Sequence, residues 1–259
     1  MSEWFDALPF RIGTSSYIIP DDILPNARWL AGKVRDIELV LFDIDEYCNI
    51  PDAAQIAELN ALAAASDLTY TVHLPLNLNF SAEGKDVSIQ KALKVINATR
   101  DLNPRAFVCH LECKDIPSEP GEALRQWQSE RTAAVTELLK EAAIPPRMLA
   151  VENLETYPGE WNDPVINACG TSATLDIGHL FLQGIDPVPV IHERAAVTTV
   201  MHLHGVGSRD HQSLRHMPAE TIRGIIRALI REDYRGVLTL EVFNETDFSE
   251  SMDMIRESL

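Results

Sequence analysis

Thr198-Thr199-Val200-Met201-His202-Leu203-His204 is a short run of β-branched and apolar residues ending on an ionisable side chain, and that form recurs along the whole chain. Seven further runs read as strands by the same criteria: Phe10–Ser15, Asp36–Phe42, Leu68–His73, Arg105–Glu112, Arg147–Asn153, Thr171–Ile177 and Gly236–Val242. Amphipathic stretches near Asp22–Val34, Asp52–Ser66, Ser88–Leu102, Ser118–Ala143, Asp163–Cys169, Pro187–Ala195, Pro218–Arg231 and Asp247–Leu259 read as helices. Pro218 suits a first helical turn, Pro145-Pro146 stop a helix before a strand, and Ser66-Asp67 mark a turn. Eight alternating pairs imply a parallel sheet, because each parallel crossover needs a helix, and closure into a barrel removes the sheet edges. The 259 residues match the roughly 250 of an eightfold barrel, so the expected fold is α/β, one (β/α)8 TIM-barrel domain over residues 1–259. The long connection Leu74–Asp86 follows a strand, where barrel enzymes carry binding loops.

The ionisable residues fall where such a barrel does chemistry. His73, His110, Glu152, Asp176, His204 and Glu241 each stand at the carboxyl end of a predicted strand. Side chains alternate across a strand, so the residues two positions earlier, Thr71, Val108, Ala150, Thr174, His202 and Thr239, should also face the barrel interior. A lone histidine on an apolar strand is usually a satisfied core residue. Six converging polar groups that include three carboxylates need a compensating positive charge, which a metal supplies. Imidazoles mixed with carboxylates, without thiolates, suit Zn²⁺, Mn²⁺, Fe²⁺ or Co²⁺ better than Mg²⁺ or Ca²⁺. His179, three residues after Asp176, is placed to bind metal, to donate to substrate or to cap the next helix. Arg209, in the loop after His204, has a planar fork suited to phosphate or carboxylate, with Asp210 and His211 beside it; His192 and His216 lack strand-end placement and read as surface residues.

Composition narrows the function classes. Apolar residues make up 46% of the chain and charged residues 24%, enough to build a large core. The formal net charge of −17 opposes a polyanion, so nucleic acid is not an expected partner. The start lacks a signal-peptide pattern and no apolar run approaches a bilayer span, so a cytoplasmic location without membrane contact is expected. Cys48, Cys109, Cys113 and Cys169 form no C-x-x-C pair, which argues against a disulfide framework or a cysteine zinc knuckle.

Over nearly its whole length the sequence resembles the xylose isomerase-like barrel superfamily, which includes endonuclease IV and many sugar isomerases and epimerases. That resemblance implies a four-ligand set of Glu152, Asp176, His204 and Glu241. The endonuclease-like branch implies further ligands at His73, His110 and His179 and an Asp/His pair at Asp210 and His211, adjacent here where the family separates them by one residue. One to three divalent transition ions, zinc or manganese, are then expected, with Glu152 bridging two of them and Glu152, Glu241 and His179 as catalytic groups. Arg209, Asp210 and His211 would meet the substrate phosphate. A narrower resemblance, carried by Gly13-Thr-Ser-Ser-Tyr17, the following stretch to Asn26, Ile37–Asp43 and Arg209–Leu214, is to the cobamide-remodelling phosphodiesterases. It implies hydrolysis of the nucleotide-loop phosphodiester of a corrinoid, giving cobinamide phosphate and the lower-ligand nucleoside. The rivals are a single-metal sugar isomerase or epimerase, with Glu152 and Glu241 moving a proton at carbon; DNA repair of the endonuclease IV type; and an inactive binding module.

Overall fold

A computed structural model describes residues 4–44, 46–111 and 115–259. The predicted strand residue Glu112 and Cys113 lie outside the described residues. Eight parallel strands form a closed barrel: β1 (Arg11–Ser15), β2 (Asp36–Val40), β3 (Thr69–His73), β4 (Phe107–Cys109), β5 (Leu149–Glu152), β6 (Ser172–Asp176), β7 (Thr198–Leu203) and β8 (Val237–Leu240). Neighbours in sequence are neighbours in space, and β8 closes on β1 with Gly13 opposite Thr239.

The helices are α1 (Ile23–Leu30), α2 (Ala53–Ser66), α3 (Lys85–Thr99), α4 (Glu122–Ala142), α5 (Asp163–Cys169), α6 (Ile177–Leu182), α7 (Pro187–Arg194), α8 (Ala219–Arg231) and α9 (Glu245–Glu257). Their ends follow local chemistry. A capping box starts α2: the Asp52 carboxylate accepts from Gln55 N–H while the Gln55 side chain accepts from Asp52 N–H, both at 2.9 Å. Helix α1 stops at Leu30, short of the predicted Val34, as the chain turns through Gly32 at φ +79°. On α8, Ile222, Ile225, Ile226 and Leu229 form the i, i+3, i+4, i+7 stripe that buries against the barrel.

Alternation along the strands sorts the core into two compartments. Ile37 and Leu39 on β2, and Met201 and Leu203 on β7, belong to the large cluster between barrel and helices. Ala106, Val108, Ala150 and Val200 form a separate small cluster. Thr71, Val108, Ala150, Thr174, His202 and Thr239 are all buried, as the parity argument requires. Two elements differ from expectation. Helix α6 begins directly where β6 ends, and the chain after β2 turns into a two-strand hairpin, Asp43–Ile44 against Tyr47–Cys48. Strands β4, β7 and β8 end earlier than predicted, leaving His110, His204 and Glu241 just beyond them.

Candidate metal centre

The carboxyl ends of the strands bring ten histidine and carboxylate side chains together in three adjoining groups, each with ligand atoms within 4.8 Å of one another. The first is His73, His110 and Glu152. His110 Nε2 lies 3.0 Å and His73 Nε2 3.4 Å from Glu152 Oε2. The opposite nitrogen of His73, Nδ1, sits 2.8 Å from the carbonyl of Leu74; donating there leaves the Nε2 lone pair facing the group.

The second group is Glu152, Asp176, His202 and Glu241. His202 Nδ1 stands 3.2 Å from Glu152 Oε1, 3.1 Å from Glu241 Oε2 and 3.6 Å from Asp176 Oδ2. His202 thus joins Glu152, Asp176 and Glu241, while His204, which the family resemblance puts among them, also reaches Asp176, with Nε2 3.3 Å from Oδ1. The ladder places the two rings: His202 pairs directly with Asp176 on β6 and with Thr239 on β8, while His204 sits about 6.6 Å further along the strand direction. The register of β6 against β7 shifts at Ala173/Thr174, a displacement with no marker in the sequence.

His204 joins the third group, His179, Asp210 and His211. Its Nε2 is 3.3 Å from Asp176 Oδ1, its Nδ1 is 3.2 Å from Asp210 Oδ1, and its ring stacks on His211 with centroids 4.2 Å apart. The loop reaches back because Gly205 and Gln212 exchange backbone hydrogen bonds of 2.7 and 3.0 Å, and His211 adopts φ +51°, so two adjacent residues turn toward one centre. A Cβ on Gly205 would stand 2.0 Å from the carbonyl oxygen of Ser213, so this turn needs glycine. His179 lies inside α6 and is not its cap; the Asp176 carboxylate caps it, accepting from His179 N–H at 2.7 Å. His179 Nδ1 contacts the Asn153 carbonyl at 2.9 Å.

Glu38 is the residue that the strand-end criterion misses. It is fully buried on β2, and its Oε2 is 3.0 Å from His202 Nε2. With Nε2–H donated to Glu38, the His202 ring is held with Nδ1 toward Glu152, Asp176 and Glu241. Its signal in the sequence is a single carboxylate in the apolar run Ile37-Glu38-Leu39-Val40.

Without metal these carboxylates and imidazoles neutralise each other. Burial works against the His73 imidazolium, but the hydrogen bond and charge of Glu152 raise its pKa to about 9. His179 and His204 are likewise disfavoured by burial yet raised to about 9, chiefly by the charge of Asp176. Burial opposes the ionised Asp176, and the charges of His204 and His179 nevertheless bring it down to about 2. The same balance of burial against histidine charge holds Glu152 and Glu241 well below the usual range. Pairing is nonetheless incomplete. Asp176 Oδ2, His204 Nε2 and Glu241 Oε2 are buried without a hydrogen-bond partner and face the groups described. Buried polar atoms so placed, within an oxygen–imidazole set, fit divalent transition metal.

Above the groups opens a cavity of about 820 Å³. His73, His110, Glu152, His179, Asp210, His211 and Glu241 line it, with Glu155 beside them; its remaining wall is mostly apolar, from Tyr17 to Pro20, Val40, Phe42, Leu76, Leu154 and Phe243. Buried Asn26 shapes the Tyr17–Pro20 segment: its Oδ1 accepts from Ile18 N–H (2.8 Å) and Ile19 N–H (2.9 Å), and its Nδ2 donates to Asp21 O (2.9 Å). No lysine or arginine lines this cavity among the described residues. Arg209 is outside that lining, 3.4 Å from Asp247 and hydrogen-bonded to the carbonyl of Asp210 at 3.1 Å. His192 pairs with Glu232 at 2.7 Å and His216 is exposed, both away from the groups. The described cysteines, Cys48, Cys109 and Cys169, are free thiols. Among the described residues no helix is long and apolar enough to cross a membrane.

A family model for xylose isomerase-like TIM barrels matches residues 36–258. Among solved structures, a D-tagatose 3-epimerase-like protein superposes with TM-score 0.75 at 17% identity, covering 96% of this chain and 97% of that one. Endonuclease IV from Thermus thermophilus gives 0.70 at 17% identity, covering 96% and 98%. D-psicose 3-epimerase from Clostridium cellulolyticum, solved with D-tagatose, gives 0.70 at 15% identity, covering 96% and 95%. At such identities the likeness concerns the fold alone. Curated protein sequences give no match.

Proposed function

The chain belongs to the xylose isomerase-like TIM barrel family, and from that premise we propose that it is a multinuclear metal-dependent phosphodiesterase that cleaves the nucleotide-loop phosphodiester of cobamides. The observation that carries the reading is the double role of Glu152: one carboxylate oxygen faces His73 and His110, the other faces His202. A single-metal isomerase has no use for the His73–His110 side of that carboxylate. Divalent transition ions held there supply Lewis acidity toward water and toward the phosphoryl oxygens. Glu152 anchors both rings on one side and His202 on the other, while Glu38 and the Leu74 carbonyl set the ring orientations. Of the carboxylates lining the cavity, Glu155 belongs to none of the three groups and lies 3.4 Å from His179 Nε2, while Glu152, Glu241 and His179 stay the catalytic groups of this reading. The Gly13–Asn26 stretch, part of the narrower resemblance, supplies Tyr17–Pro20 of the cavity wall.

One observation favours the epimerase alternative. Glu152, Asp176, His202 and Glu241 make a complete four-residue group by themselves, sufficient for one ion. Metal analysis and substrate together separate the readings. More than one tightly held transition ion per chain, and formation of cobinamide phosphate and a nucleoside from a cobamide, are expected. One ion per chain with turnover of a ketose, and no cobamide product, would replace the phosphodiesterase with the epimerase. Abasic duplex DNA is expected to remain uncut at physiological salt, given the net charge of −17 and a cavity wall without lysine or arginine among the described residues.

A further inference from the structure

We propose that the substrate carries an extended, ring-bearing apolar group on the spectator side of the phosphodiester, and that Tyr17, Ile18, Phe42, Leu76, Leu154 and Phe243 bind it; the phosphodiester part of this statement rests on the function proposed above. The cavity has two chemically distinct halves. Its floor is the histidine and carboxylate cluster, and its wall is mostly apolar, with Glu155 and Asn244 at its polar edge and no lysine or arginine among the described residues. At about 820 Å³ it accommodates an organic molecule near the upper end of drug-like size. Leu76 is 53% and Phe243 41% exposed at this wall, apolar surface that a bound apolar group would remove from water.

The wall is braced in advance of binding. Phe42 packs against Tyr17 and Tyr47 with ring centroids 6.0 and 5.9 Å apart. Asn49 ties these rings to the barrel, donating to the Tyr17 hydroxyl at 2.7 Å and to the Val40 carbonyl at 2.9 Å, and accepting from Phe42 N–H at 2.7 Å. A surface held this way loses little freedom when a ring lies on it. A polyhydroxylated sugar placed against these six side chains would turn most of its hydroxyls toward carbon. A nucleic-acid backbone would find no cation among the described residues of this wall to meet its successive phosphates. An apolar ring joined to a single phosphodiester satisfies both halves.

Benzyl 4-nitrophenyl phosphate and ethyl 4-nitrophenyl phosphate share charge and leaving group and differ in the spectator group. With zinc- or manganese-loaded protein, kcat/KM is expected to favour the benzyl ester by at least about tenfold, the scale set by burying one ring. Leu76→Ser and Phe243→Ser should each reduce that ratio about threefold or more. Equal rates for the two esters, or a ratio unchanged in both variants, would overturn the inference. Binding is read separately by calorimetry with phenylphosphonate and methylphosphonate on the same metal-loaded protein. A phenyl preference that falls in Leu76→Ser supports the wall even if neither ester is hydrolysed, in which case the phosphodiesterase reading fails alone; equal affinities overturn the wall whatever the reaction.

Discussion

Gly178→Ala is the substitution whose outcome separates the third side-chain group from the other two. Gly178 lies in α6, and a Cβ there would stand 2.0 Å from His204 Cε1 and Nε2, roughly 1.4 Å inside ordinary contact at 3.4 Å. The His204 ring has little room to yield, being fully buried and stacked on His211 at 4.2 Å. Gly178 sits in the first turn of α6, where Gly→Ala gains at most the about 1 kcal/mol of a helix interior, whereas over-packing a buried site costs about 1–3 kcal/mol. The net expectation is a loss of about 0–2 kcal/mol, a fall in Tm of up to roughly 8 °C for a chain of this size. Displacing the ring by an ångström also takes Nε2 out of coordinating range, because a metal–imidazole bond near 2.0–2.1 Å tolerates about 0.2 Å. Metal content after dialysis should therefore fall by up to one equivalent, while the other two groups, built on His202 and on the His73–His110 pair, keep theirs. In a His204→Ala background the sign should reverse, with Gly178→Ala stabilising by up to about 1 kcal/mol once the ring is gone. A Gly178→Ala protein more stable than the parent and with unchanged metal content would refute the reasoning.

Three further outcomes follow from the buried charges. Glu38→Ala should weaken metal binding about 10–100-fold in a chelator competition, since it removes the group that orients His202, and an unchanged dissociation constant would sink that role. Metal loading at pH 7 should release protons, because His73, His179 and His204 hold theirs up to about 9 in the metal-free protein; affinity should rise with pH toward 9, and a binding enthalpy independent of buffer would contradict this. Burial raises Asp36 to about 6, so the folded state keeps this proton when the unfolded state has lost it; its contribution is present below the unfolded value of 3.8, declines as pH rises to about 6, and is flat above. Asp36→Asn should then gain stability relative to wild type across that window, by up to about 3 kcal/mol, and a difference independent of pH in denaturation would count against it.

The barrel was legible because its periodicity lies in the sequence itself: strand ends marked by His73, Glu152 and Asp176 needed only alternation and fold geometry to be placed on one face. What alternation cannot supply is inter-strand register. His202 and His204 have the same parity and both reach Asp176, at 3.6 and 3.3 Å; which of them also meets Glu152 and Glu241 is a matter of register that alternation leaves open. Glu38 escaped because it sits mid-strand and reaches the centre through another side chain. Helix α6 was hidden by its cap, since Asp176 reads equally well as the last residue of a strand. The apolar wall is drawn from the ends of five different strands and the loops after them, and such convergence leaves no local trace. Arg209 was singled out for its chemistry, but its direction is set by Asp247, 38 residues further along.

The closure of β8 on β1 has a consequence for how the protein is made. Glu241 follows the last strand, so the group it shares with Glu152, Asp176 and His202 does not exist until nearly the whole barrel has left the ribosome. Translation at about 5–20 residues per second puts roughly 10–30 s between the emergence of His73 and that of Glu241. During this interval β1 presents an unpaired edge, open to wrong partners as well as to its own. An ion at the Glu241 group could therefore bind only after β8 has closed on β1, and its occupancy would report that the circle of strands is complete.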